Sequence, residues 1–189
     1  TFSSIKSGAD CVVIAPDGAG KTTTIVLNVI QRLEKAFEES PRALIFVESR
    51  EKMLEMESLF EKLGNYTNLR VFCVHEKGDI DYDKNHISLG LDVLIGTPNR
   101  LNEMFSSAGF DVNRLKMFIV DDADELLRLR HYTKIARISG SLKTQRLLFS
   151  HQVTESIESF SDRIELEPLW VEADDEEDDE DEEKFENKI

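Results

Sequence analysis

Ala15-Pro16-Asp17-Gly18-Ala19-Gly20-Lys21-Thr22 decides the reading of this chain. The apolar run Cys11-Val12-Val13-Ile14 precedes it, and a helical pattern from Thr22 to Phe37 follows. Strand, glycine-bearing loop, Lys-Thr and helix make up the layout of a phosphate-binding loop. Gly18 and Gly20 let the backbone turn tightly and bring its N–H groups to phosphate oxygens, and the following helix adds its positive N-terminal dipole. Asp17, Gly18, Ala19, Gly20, Lys21, Thr22 and Thr23 are therefore the expected nucleotide-binding residues. Lys21 is set to contact the terminal phosphates and the Thr22 hydroxyl to hold Mg²⁺. Ala15 stands where the general pattern G-x-x-x-x-G-K-[ST] has glycine, so the chain fits the narrower form A-x-x-G-x-G-K-T.

Other apolar runs lie outward from this loop. Ala43–Val47, Arg70–Val74, Asp92–Gly96, Met117–Asp121 and Arg146–Phe149 read as strands, the first without alternation, as befits a strand buried on both faces. Residues 22–37, 50–63, 99–106, 123–130, 132–142 and 154–160 read as helices, with a short one in 79–89. Pro98 suits a first helical turn that Thr97 can cap. Arg163–Leu166 reads as an edge strand. This alternation predicts an α/β three-layer sandwich with a mostly parallel sheet over residues 1–171.

The charge is unevenly spread. Of a formal net charge of −15, residues 172–189 carry twelve acidic side chains and two lysines, leaving the body at −5. The run Ala173–Glu183 cannot bury enough apolar surface to offset the entropy of ordering, and is expected to be a disordered acidic tail. It can solubilise, dock a basic partner, or fold back onto Arg50 and Arg100 as a nucleic-acid mimic. Cys11 and Cys73 fit reduced core thiols of a cytoplasmic protein. The four histidines lack ligand spacing, and no apolar run reaches the roughly 18 residues of a membrane helix.

A nucleotide hydrolase also needs carboxylates at a buried strand end. Asp121, after Met117–Val120, is the expected Mg²⁺ carboxylate, and Asp122 the group that orients or deprotonates the attacking water.

Taken in order, Ala15–Thr22, Thr97-Pro98-Asn99-Arg100, Val120-Asp121-Asp122-Ala123-Asp124 and Leu148-Phe149-Ser150 resemble the N-terminal RecA-like domain of DEAD-box RNA helicases, a P-loop NTPase fold. The resemblance implies ATP and Mg²⁺ as cofactors and single-stranded RNA, held by its backbone, as partner. It makes Ser49, Arg50, Thr97, Pro98 and Arg100 the nucleic-acid contacts, and Asp124 with Ser150 the link that couples hydrolysis to unwinding. The sequence departs from the family in five places. P-T-R-E-L reads Glu48-Ser49-Arg50-Glu51, with only Arg50 and Glu51 kept; T-P-G-R reads Thr97-Pro98-Asn99-Arg100, D-E-A-D reads Asp121-Asp122-Ala123-Asp124, S-A-T reads Ser150-His151-Gln152, and Gly78 stands alone where paired glycines follow the third strand. The shorter Asp122 withdraws its carboxylate by roughly 1 Å, a displacement that can cost about 10²-fold. The glutamine-bearing adenine motif and the second RecA-like domain, source of the arginine fingers, are not in this sequence. The expectation is ATP and RNA binding with weak or absent hydrolysis and no unwinding alone, unless a protein partner supplies a second domain. A non-enzymatic interaction module, docking through the acidic tail or a sheet face, is the alternative. A small-molecule kinase accounts for neither Thr97–Arg100 nor the acidic strand end.

Overall fold

The structure, a computed structural model, describes residues 2–16 and 20–172. Seven strands form one sheet: β1 (Cys11–Ile14), β2 (Ala43–Phe46), β3 (Val71–Val74), β4 (Val93–Gly96), β5 (Met117–Val120), β6 (Gln145–Ser150) and β7 (Leu169–Glu172). Their order is β3-β4-β2-β5-β6-β1-β7, and every pairing is parallel. The helices are α1 (Phe2–Lys6), α2 (Lys21–Leu33), α3 (Arg50–Leu63), α4 (Ile80–Ser88), α5 (Pro98–Ser106), α6 (Ala123–Arg128), α7 (Tyr132–Ser139) and α8 (Glu155–Ile164).

The central strands are apolar throughout because both faces are covered. Alternate side chains leave the sheet in opposite directions. Cys11, Val13, Ala43, Ile45, Met117, Ile119, Leu147 and Phe149 pack with Ile25, Val29, Met53, Met56 and Phe60 of α2 and α3. Val12, Leu44, Phe46, Leu94, Phe118, Val120 and Leu148 pack on the other side with Leu101, Met104, Leu126, Ile135, Ile138, Ile157 and Phe160 of α5–α8. This is the three-layer sandwich the sequence predicts. Gly96 ends β4 where a Cβ would fall 2.7 Å from Leu101 Cγ and 2.8 Å from Val74 Cγ2, so that only glycine fits there without displacement.

The largest departures from the expected boundaries are at α2 and at the edge strand. α2 stops at Leu33, not at Phe37: Glu34 takes φ +64°, and Phe37 lies exposed beyond the helix. The buried Arg42 guanidinium donates to the carbonyls of Leu33 and Lys35 and is itself held by Asp92, 2.8 Å away. A tertiary contact thus caps the helix that sequence periodicity would have continued. The edge strand lies at Leu169–Glu172, not Arg163–Leu166. Ile157, Phe160 and Ile164 keep a helical stripe on the core, so α8 runs through Ile164, and only after the turn past Pro168 does the chain pair with β1.

Candidate functional site

Open parallel sheets place ligands beyond the carboxyl ends of their strands, where the connections diverge. Here that place is set by the strand order. β1, leading to α2 on one face, and β5, leading to α6 on the other, are separated only by β6. Three strand ends therefore meet: Gly20–Thr23 after β1, Asp121–Asp124 after β5, and Ser150-His151 after β6 between them. Ala15 N–H donates to Ser150 O at 2.8 Å, tying the loop after β1 to β6.

Gly20 precedes α2 at φ +67°, ψ +24°, a left-handed conformation that an L side chain adopts only with strain. Asp17, Gly18 and Ala19, expected in the phosphate cradle, lie outside the described residues. Lys21 opens α2, and its ammonium reaches 101 residues along the chain to the β5 end: Nζ lies 2.8 Å from Asp121 Oδ1 and also donates to Asp122 Oδ1. Both carboxylates are 1 % exposed. Each keeps an oxygen, Oδ2, that accepts no hydrogen bond among the described residues. One ammonium thus serves two buried carboxylates. Burial, with the neighbouring Asp122 charge adding, holds the Asp121 carboxyl above the usual carboxylate range against the pull of Lys21. Burial works against the Lys21 ammonium too, but the two aspartates outweigh it and raise its pKa. Asp122 sits at φ +46°, ψ +47°, a left-handed position that aspartate tolerates better than most residues.

A cavity of about 550 Å³ opens over this cluster, lined by Gly20, Lys21, Thr22, Thr23, Lys52, Lys62 and His151 among others. Its walls carry three lysines against Glu55, a composition suited to an anion. Among the described residues no group of three or more His, Cys, Asp or Glu could hold a metal ion unaided. Thr22, facing the cavity, and the orphaned Asp121 Oδ2 instead fit a Mg²⁺ that takes its remaining ligands from phosphate and water.

The expected coupling between Ser150 and Asp124 is not made. Ser150 Oγ donates to Gln152 O at 2.7 Å, and the Asp124 carboxylate is met by His151, whose Nδ1 lies 3.2 Å from Oδ1. His151 Nε2 lies 3.4 Å from Asp122 Oδ1. The residue beside the expected one bridges the acidic pair because Ser150, the last residue of β6, turns its hydroxyl into its own loop. His151 lacked metal-ligand spacing, and only its place in the altered S-A-T triplet pointed to it.

The expected nucleic-acid residues gather at the neighbouring ends of β2 and β4, joined by Val47 N–H to Gly96 O at 3.0 Å. Ser49 caps α3, its Oγ accepting from Lys52 N–H, and Arg50 follows, exposed. Thr97 and Pro98 start α5 as predicted, but the Thr97 hydroxyl makes no cap; it is buried with no partner among the described residues. Arg100 is 5 % exposed and turned inward. It donates to the carbonyls of His75, Glu76 and Gly78 and lies 3.5 Å from Glu103. Its guanidinium clamps the turn after β3, so this side chain, expected to contact phosphate, is turned inward and held by backbone carbonyls. Charge alone could not separate this arginine from Arg50. Sequence reading also passed over Lys52, whose Nζ lies 4.0 Å from Asp122 Oδ2.

Glu48 borders the same cluster; burial, then the charges of Asp122 and Glu125, push its carboxyl pKa up. No helix among the described residues is long and apolar enough to cross a membrane.

A family model described as DEAD/DEAH box helicase matches residues 1–160. Eukaryotic initiation factor 4A of Caenorhabditis elegans is 27 % identical over 167 residues, covering 86 % of this chain and 41 % of that protein. DEAD-box ATP-dependent RNA helicase 7 of Arabidopsis thaliana is 27 % identical over 176 residues, covering 86 % of this chain and 26 % of its own length. The chain thus spans less than half of these relatives. The crystal structure of a DEAD box protein from Methanococcus jannaschii superposes with a TM-score of 0.82 at 21 % identity, over 90 % of this chain and 47 % of that one, which shows a shared fold. The matched span holds Gly20–Thr23, Asp121–Asp124 and Ser150-His151, which meet in the structure, and the chain belongs to the DEAD/DEAH box helicase family.

Proposed function

We propose that this domain binds Mg²⁺·ATP at the ends of β1 and β5 and single-stranded RNA, by its backbone, across the ends of β2 and β4. One observation carries the reading: Lys21, 101 residues away in sequence, closes on Asp121 and Asp122 beneath an anion-suited cavity that Thr22 and Thr23 line. The two carboxylates occupy the ammonium that a terminal phosphate would otherwise engage, so binding exchanges one anion for another. Mg²⁺ between the Thr22 hydroxyl and the Asp121 side would neutralise phosphate charge as it is displaced. Asp122, shorter than the family's glutamate, orients water poorly, so hydrolysis is weak or absent.

RNA phosphates are met by the exposed Arg50 and by the first turns of α3 and α5, entered through Ser49, Thr97 and Pro98. Without arginine fingers from a second domain, worth about 10³–10⁵ in rate in phosphoryl transfer, this stretch does not unwind a duplex alone. A cytoplasmic setting with a partner that completes the cleft suits this reading.

Isothermal titration of Mg²⁺·ATP into the chain and into Lys21→Ala tests the proposal. Binding that is lost in the variant supports it; absence of binding in the parent overturns it.

A second reading is a non-enzymatic module that retains the fold and docks a protein. It draws on the open edge at β7, where Leu169 and Trp170 are 44 % and 45 % exposed and Leu166 stands exposed nearby. It predicts no nucleotide binding, and capture of a partner that Trp170→Ala abolishes. The acidic run that could share this docking lies outside the described residues.

A further inference from the structure

We infer that Lys52, which no phosphate-binding motif includes, is a second phosphate-binding cation and contacts the terminal phosphate of the bound nucleotide. The inference rests on the proposed nucleotide reading of this cavity.

Three features point to it. The first is placement. Lys21 donates to Asp122 Oδ1 while Lys52 Nζ stands 4.0 Å from Oδ2 of the same carboxylate, and both lysines line the cavity over Gly20 and Thr22. Two ammonium groups thus flank one buried carboxylate where a phosphate would bind, and the distance from Lys52 is too long for a hydrogen bond. Asp122 Oδ2 accepts no hydrogen bond among the described residues, so Lys52 is held to it only by a long ion pair that a phosphate can displace.

The second is helix chemistry. Ser49 is the N-cap of α3, which makes Lys52 the third helical residue. A capping box places Glu or Gln there, reaching back to the cap N–H, and the helix dipole favours an anion in this turn. Lysine forgoes both, while Arg50 and Glu51 in the same turn offset one another. A cation set against the dipole lowers that cost when an anionic ligand sits between them.

The third is the face it shares. Lys52, Glu55, Leu59 and Lys62 recur at helical spacing along α3, and all face the cavity. Lys52 lies at the cluster end of that row, and Lys62 ten residues farther along the helix. Where the family carries leucine in P-T-R-E-L, this chain therefore has a cation on the nucleotide side of the helix. An ammonium in cis at the terminal phosphate would discriminate ATP from ADP, because ADP lacks the group it contacts.

The test is titration of Mg²⁺·ATP and Mg²⁺·ADP into the full chain, Lys52→Leu, Lys52→Arg, Lys62→Ala and Lys21→Ala. Lys52→Leu should weaken ATP by about 10-fold and ADP by less than about 2-fold, the scale of one charge-assisted hydrogen bond. Lys52→Arg should keep most of the ATP preference, and Lys62→Ala should leave the ATP:ADP ratio unchanged. Equal effects of Lys52→Leu on both nucleotides, or the same ATP-selective loss in Lys62→Ala, would overturn the inference as a general field effect. If the parent binds ATP and Lys21→Ala does not, an unaltered Lys52→Leu overturns this inference alone. If the parent binds neither nucleotide, the nucleotide reading fails and this inference with it.

Discussion

His151 Nδ1 lies 3.2 Å from Asp124 Oδ1, and through this imidazole, not through Ser150, the end of β6 touches the acidic turn after β5. The family resemblance implies that S-A-T at this place couples hydrolysis to unwinding by linking to the last Asp. The strand order forces some residue after β6 into that position, since β6 lies between β1 and β5. Here the imidazole is long enough to span both Asp122 and Asp124, where the serine hydroxyl is not.

His151→Ala should therefore reduce the effect of RNA on ATP affinity, by about 3- to 10-fold of whatever coupling the parent shows, while Ser150→Ala leaves it within about 2-fold. Titration of Mg²⁺·ATP with and without an oligouridine measures both. A loss confined to Ser150→Ala would return the link to the serine.

Asp122→Glu should raise single-turnover ATP hydrolysis by at least about 10-fold, because it restores the carboxylate's reach toward the water. It should also lower stability by about 1 kcal/mol, since glutamate tolerates the left-handed φ of +46° less well than aspartate. A rapid-quench assay and a urea titration read the two effects separately.

Glu165 is buried between Ser161, whose Oγ donates to its Oε1 at 2.9 Å, and the Asp10 side of the sheet, and burial pushes its carboxyl up to about 9. A carboxyl raised above its unfolded value stays protonated in the folded chain. Its contribution to stability is complete below about pH 4.5 and is lost as pH rises toward 9. Glu165→Gln should stabilise the domain by about 2 kcal/mol at pH 7 and by nearly nothing at pH 4. Urea midpoints across that range show the sign; a gain independent of pH would contradict it.

Asp92 is fully buried and accepts from Arg42, from the Arg70 guanidinium and N–H, and from Phe37 N–H. Burial works against its charge, but the Arg70 and Arg42 bonds outweigh it and hold its pKa below the ordinary carboxylate range. That stabilisation is present above the unfolded value of about 4 and is lost as pH falls through the lower folded value. Asp92→Ala leaves the buried Arg42 without its carboxylate and should cost about 3–5 kcal/mol, measured by chemical denaturation.

Much of the architecture was legible in the residues themselves. Strands buried on both faces need unbroken apolar runs, and Ala43–Val47, Asp92–Gly96 and Met117–Asp121 are such runs. The left-handed turn before α2 needs glycine, and Gly20 stands there followed by Lys-Thr. These are local demands that a single position meets or fails, so they can be read one residue at a time. The parallel sheet followed from them, whereas the closing of Lys21 on Asp121 and Asp122 did not: the sequence set Lys21 on phosphate and Asp121 on Mg²⁺.

What remained depended on which side chains arrive at the same point from distant segments. Arg42 ends α2 from nine residues away, and Arg100 turns inward to three carbonyls, because only the folded chain presents those carbonyls. His151 instead of Ser150 meets Asp124 through the direction in which β6 releases its last residues. Lys52 reads in sequence as one more charge on an amphipathic helix; the cavity beside Asp122 exists only once β1, β5 and α3 have been assembled. Apolar pattern and backbone conformation are properties of sequence neighbours. The partner of a charge is a property of the space around it, and only the tertiary structure supplies that.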